Sequence, residues 1–280
     1  MALSRYWTLD DIDWSAFRPE LVDRQLLATI KAASLVEANA PDYVTYLCNV
    51  FRGDDALCDA VRLWGDEEVQ HGRALARWAS MADPSYDLDK ALETFRAGYQ
   101  QVPLESDQST RGSKPGELFA RCIVESGTTS FYTAMHDTVD EPVLRQIARN
   151  IAADEVRHYK LFRSHLDAYE ARGDSITRMA RLKILGERIA EVGDDEFGYA
   201  YYAANIAPVS QEPYERERCA AAYESGAYGL YRRAHVEKGV RMMLRAVGFN
   251  TASPVVKFSL PVAWHLMRRK QKKLGRLAVA

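Results

Sequence analysis

The sequence predicts an all-α protein: a four-helix bundle with one long crossover, followed by additional helices toward the C-terminus. Three observations carry this. Glycine and proline are sparse, 16 and 10 among 280 residues. The apolar residues recur at helical rather than alternating spacing. The interruptions between helical stretches run short, long, short, which is the connectivity of a bundle with a single crossover.

The elements follow in order. A first helix is expected from about Glu20 to Phe51, ending at Arg52-Gly53-Asp54-Asp55. A second runs from about Asp55 to Met81 and stops near Asp83-Pro84. The long connection from Asp83 to Ser113 holds a short helix around Leu88 to Tyr99 and a polar loop from Pro103 to Pro115. A third helix starts near Pro115, with proline in its first turn, and reaches about Thr138. The fourth follows at once, with Asp140 as N-cap and Pro142 just inside, and ends at Arg172-Gly173-Asp174. Two further long helices are expected, Ile176 to about Ile206 and about Tyr214 to Val247. An amphipathic segment from about Ser253 to Leu277 completes the chain.

With 47% hydrophobic residues the chain can bury a large core. Its length suits one domain over residues 1–280, a bundle core at about 20–172 with a helical extension at about 174–280. A net charge of −2 argues against nucleic acid as partner. No apolar stretch approaches the length of a membrane span. The start, Met1 to Trp7, lacks the apolar region of a signal peptide. Cys48, Cys58, Cys122 and Cys219 form no CxxC pair and sit in apolar helical stretches, as buried thiols of a reduced, cytoplasmic protein do.

One internal echo carries chemistry. The second helix contains Glu68-Val69-Gln70-His71 and the fourth contains Glu155-Val156-Arg157-His158. Each is a Glu-x-x-His, whose i and i+3 positions put a carboxylate and an imidazole on one helix face. The first and third helices carry Glu37 and Glu125 in apolar surroundings. Glu37 and Glu68 lie almost symmetrically about the Arg52-Gly53 turn, and Glu125 and Glu155 lie so about Asp140. In an antiparallel hairpin, residues equidistant from the turn sit at one height, here roughly 22 Å from it for about fifteen residues. Four carboxylates and two imidazoles at one level of a bundle interior need partners or a metal. Two lone glutamates plus two Glu-x-x-His motifs form the ligand set of di-iron and di-manganese carboxylate proteins. Oxygen- and nitrogen-rich ligation suits iron, with a mixed iron–manganese pair as the variant.

These motifs resemble the ferritin-like di-iron carboxylate family, and within it the soluble acyl-carrier-protein desaturases. The desaturases carry Trp-x-x-x-Glu-x-x-His on the second bundle helix, as Trp64 to His71 here. They carry Asp-Glu-x-Arg-His on the fourth, as Asp154 to His158. Their first ligand helix reads Glu, then Pro four residues on, then Tyr, as Glu37, Pro41 and Tyr43. Their third reads Glu-x-x-Thr, as Glu125 to Thr128. The resemblance spans about residues 20 to 170, and Gln70 stands where the desaturases have Arg. It implies Glu37, Glu68, His71, Glu125, Glu155 and His158 as ligands of two Fe ions. It also implies Asp154 as acceptor for an imidazole N–H, Arg157 paired with Glu67, and Thr128 as a proton relay on the dioxygen face. An acyl-carrier or other apolar small-molecule substrate and a homodimer are further implications.

The expected function is an O2-activating di-iron oxidase or oxygenase that desaturates or hydroxylates an apolar, acyl-like substrate. The chain has no flavin, haem or iron–sulfur motif, so electrons must come from an external ferredoxin- or reductase-type donor. The alternative is a rubrerythrin-like ferroxidase or peroxide reductase acting without an organic substrate. Pro41 cannot donate to the Glu37 carbonyl, so the first helix should kink beside the ligands. Trp64, Trp78 and Phe131-Tyr132 either fill the bundle or wall a channel. Tyr199 to Tyr202 read as core or interface. His136, His165, His235 and His265 lack an acidic partner at i−3 and stay outside the site. From Lys257 onward there are seven basic residues and no acidic one, either a solvated tail or a contact for an acidic partner or anionic membrane surface.

Overall fold

The computed structural model describes residues 6–99, 103–191 and 195–277, and these are all-helical. The opening segment from Met1 to Arg5 lies outside them. Three short 3-10 turns, Leu9–Asp11, Trp14–Ala16 and Pro19–Leu21, lead into the first rod. That rod is two helices, α1 (Arg24–Ala38) and α2 (Ala40–Val50), parted at Asn39. Pro41 falls in the first turn of α2, where its missing N–H costs nothing. The expected kink is therefore a full break at Asn39, two residues past Glu37.

The second rod is α3 (Asp55–Ala82). Asp54 caps it by accepting from the Leu57 N–H at 3.2 Å. Gly53, at φ +92°, makes the reversal that brings α3 back along α1 and α2. The long connection holds α4 (Leu88–Gly98). The third and fourth rods are α5 (Lys114–Thr138) and α6 (Pro142–Ala171), packed along each other, and α3 packs on α6. The N-cap of α6 is Glu141 rather than Asp140: its side chain accepts from the Leu144 N–H at 2.8 Å. Glu141 is fully buried and also accepts from Trp78 Nε1 at 2.6 Å, a tertiary bond that local spacing could not reveal.

The C-terminal part differs from the two long helices expected. The first is α7 (Arg178–Glu191) and α8 (Asp195–Asn205), and the positions between them lie outside the described residues. Helix α7 packs on α5 whereas α8 packs on α1, so one straight rod could not serve both. The second is α9 (Arg216–Gly229) and α10 (Arg233–Val247). Its break is made by His235, whose Nδ1 accepts from the Arg232 N–H at 3.1 Å while Nε2 lies 3.0 Å from Asp137 of α5. A histidine outside the expected site thus caps a helix. The last element is α11 (Pro254–Leu277), packed on α9 and α10. Among the described residues no helix is long and apolar enough to cross a membrane.

The apolar core is in two parts. One gathers Ile30, Leu35, Leu75, Trp78, Ile147 and Ile151; the other gathers Leu47, Leu57, Val61, Phe119, Phe162 and Leu166. On every rod the Glu and His motifs fall between these two sets. Each rod therefore carries an apolar half, a polar step and another apolar half. Burying both halves fixes the polar steps at one level. All four cysteines are free, three buried and Cys48 half-buried.

Candidate metal centre

The six residues meet in the interior. Glu68, His71, Glu125, Glu155 and His158 are buried, and the Glu37 side chain is one-tenth exposed. Two ligand groups form, each with its donor atoms within 4.8 Å of one another: Glu37, Glu68, His71 and Glu155, and Glu68, Glu125, Glu155 and His158. Glu68 and Glu155 belong to both. His71 Nδ1 lies 3.5 Å from Glu68, 3.5 Å from Glu155 and 3.8 Å from Glu37. His158 Nδ1 lies 3.0 Å from Glu68, 3.7 Å from Glu125 and 3.8 Å from Glu155.

The outer face of each imidazole is held. His71 Nε2 lies 3.0 Å from Asp154 Oδ2, and His158 Nε2 lies 2.6 Å from Glu67 Oε2. Each acid is the residue just before the Glu of the opposite helix. Arg157 binds Glu67 at 3.1 Å and also pairs with Asp154. Trp7 Nε1 donates to Asp154 at 2.6 Å, and the Trp7 ring stacks on His71 with centroids 6.0 Å apart. Gln70 donates to the Trp7 carbonyl at 2.9 Å. Gln70 thus tethers the N-terminal segment. Thr128 donates to Glu155 Oε2 at 2.6 Å, and Tyr132 donates to Glu37.

The electrostatics are those of carboxyls and imidazoles crowded together in the interior. Burial, then the charge of Glu68, pushes Glu37 well above the ordinary carboxylate range. Burial and Glu155 do the same to Glu125. Burial opposes ionisation of Glu68 too, but the Glu37 carboxyl and the His158 and His71 imidazoles beside it hold its pKa well down. Burial would lower both histidines, yet the surrounding carboxylates raise His71 and His158 well above the ordinary imidazole value. Asp154 also resists burial: hydrogen bonds from His71 and Trp7 lower it.

The donor set fits a pair of divalent ions. His71 Nδ1, His158 Nδ1, Glu125 Oε1 and Glu155 Oε1 are buried and make no hydrogen bond. Buried polar atoms are rarely left so, and these four converge on one spot. Four ionised carboxylates match the charge of two divalent cations, and orienting each imidazole through its far nitrogen is the usual support for a metal ligand. The cluster can therefore hold metal. Beside it opens a cavity of about 730 Å³ reached by Glu37, Glu68, Glu125, Glu155 and Thr128, with Val36, Ile123, Phe131 and Met243 in its wall.

The sequence named all six inward residues, Asp154, Arg157 and Thr128. It missed the role of Glu67 toward His158, although the echo carried it: Glu67-Glu68-Val69-Gln70-His71 against Asp154-Glu155-Val156-Arg157-His158. Phe131 and Tyr132, expected to fill the bundle or wall a channel, do line the cavity, but the bond from Tyr132 to Glu37 and the role of Trp7 act across the fold and gave no local signal. Trp64 packs edge-on against His158, centroids 6.4 Å apart, and Trp78 fills the core. Tyr199 and Tyr202 pack on Tyr214. No family model matches the chain, and no curated protein matches it.

Proposed function

We propose that this protein is a ferritin-like, O2-activating di-iron oxidase or oxygenase that desaturates or hydroxylates an apolar substrate. The observation that carries this reading is the pair of four-residue groups sharing Glu68 and Glu155, set against a cavity whose wall includes Val36, Ile123, Phe131 and Met243. Glu37 and His71 would complete one iron site, Glu125 and His158 the other. A bound iron pair would supply reduction of O2 and oxidation of a substrate C–H bond. The chain's own residues do the rest. Asp154 and Glu67 hold the imidazoles in one orientation. The apolar side chains of the cavity wall, Val36, Ile123, Phe131 and Met243, would take up the substrate's hydrocarbon. Thr128 holds a hydroxyl proton at Glu155 Oε2, on the cavity side. Balancing O2 reduction to water against a two-electron substrate oxidation requires two further electrons and two protons, so an external donor takes part.

The cavity favours an organic substrate over peroxide or ferrous iron alone, which need no apolar space of that size. The test is O2 uptake by iron-loaded, chemically reduced protein. Uptake that depends on an added apolar substrate supports the reading. Turnover of peroxide or ferrous iron with no effect of any such substrate would replace it with a rubrerythrin-like activity.

A further inference from the structure

One cation in the cavity wall has too few partners for its burial. Arg121 is 4% exposed and lies one helical turn before Glu125 on α5. Its closest carboxylate is Glu117 Oε1, 3.8 Å from Nε, and its guanidinium lies over the Tyr43 ring, 4.5 Å from the centroid. Neither contact is a hydrogen bond, and Nε has no partner. Among the described residues Arg121 donates no hydrogen bond at all. Guanidinium has five N–H donors, and a buried one normally spends them on a carboxylate or phosphate.

The neighbours do not satisfy it. Glu117 Oε2 already accepts from Tyr46 at 2.8 Å and Ser109 at 2.8 Å. Arg111 and Arg188 both hold Glu191. Arg111, Arg121, Arg188, Glu117 and Glu191 all line the cavity, and of these three arginines Arg121 is the one without a hydrogen-bonded carboxylate. Of the other acids in the wall, Glu224 is paired with Lys270 at 2.6 Å, Glu37, Glu68, Glu125 and Glu155 belong to the cluster, and Glu196 lines the cavity as well. Trp64 Nε1 adds a second buried donor without a partner. Trp64 stands one turn before Glu68, as Arg121 stands one turn before Glu125, so both lie on the same side of the cluster.

Resting on the oxidase reading, we propose that Arg121 anchors the carboxylate of the substrate, which is therefore a free apolar carboxylic acid rather than a carrier-bound thioester. Four residues of helix span about 6 Å. A carboxylate on Arg121 sets the first carbons of its chain beside Glu125 and Thr128, so oxidation falls near the carboxyl end. Arg121 is a specificity residue in this account. A purely structural Arg121–Glu117 pair would affect charged and neutral ligands alike.

The test is binding to metal-free protein, read by calorimetry, with decanoate, decan-1-ol and a decanoyl thioester as probes. The wild type should bind decanoate about 10- to 100-fold more tightly than the alcohol or the thioester, the worth of hydrogen bonds to a charged group. Arg121→Met should bind decanol as before and lose the preference, and Arg121→Lys should restore part of it. The double variant Glu117→Gln, Arg121→Met removes both charges and serves if the single variant does not fold. Equal binding of acid and alcohol by the wild type, tighter binding of the thioester, or a preference that survives in the Met variants would overturn the proposal. Such a failure leaves the oxidase reading intact. Acid binding without any substrate-dependent O2 uptake would remove the oxidase reading alone.

Discussion

His71 and His158 are related by an exchange across the bundle. Their rings lie 5.8 Å apart, each turns Nδ1 toward the shared carboxylates, and each gives Nε2 to an acid from the other's helix. Neither imidazole is oriented by its own rod, so α3 and α6 must both be in place before either nitrogen is aimed.

Asp154→Asn and Glu67→Gln should therefore weaken metal binding while leaving the fold intact. A loss of about 10- to 100-fold in affinity is expected for each, measured by competition with a chromogenic chelator. The two effects should exceed their sum when combined, because Arg157 contacts both acids. Unchanged affinity in both single variants would mean the imidazoles need no such support.

Metal loading should release protons. In the metal-free cluster Glu37 and Glu125 sit well above the carboxylate range and both histidines well above the imidazole range. These groups keep their protons to higher pH than free side chains do, and ligation must expel the protons they hold. Affinity should therefore rise with pH. A pH indicator in weakly buffered solution reads the release directly, and loading with no proton release would contradict this picture of the cluster.

Thr128→Val should keep the metal content, since Thr128 donates to Glu155 and is not one of the six grouped residues. The ratio of product formed to O2 consumed should fall. A ratio equal to that of the wild type would return Thr128 to helix packing.

Away from the site, Asp83 at the end of α3 binds Lys31 of α1 at 2.6 Å. The Lys31 and Ser85 hydrogen bonds lower its pKa from 3.8 to about 2. A depressed folded value means the stabilisation is full above the unfolded pKa and is lost as pH falls from about 4 to about 2. Asp83 is one-third exposed, so the effect is about 1 kcal/mol or less. Asp83→Asn should flatten that part of the acid-unfolding curve, followed by circular dichroism.

The sequence made the site more legible than the outer helices, for a physical reason. Glu68, His71, Glu155 and His158 announce themselves because helical spacing alone puts each pair on one face, and turn symmetry supplies the height of Glu37 and Glu125. The break between α9 and α10 depends on His235 reaching Asp137 of α5, and the cap of α6 depends on Glu141 reaching Trp78. Contacts between distant segments leave no period to read. Trp7 is the same case: it reaches His71 and Asp154 from a distant part of the sequence.

Metal stoichiometry tests the central claim most directly. Protein loaded anaerobically with ferrous iron and freed of excess should carry two ions per chain, and Glu125→Ala and His158→Ala should each fall well below two. Full occupancy in both variants, or a wild type that retains no metal, would contradict the account.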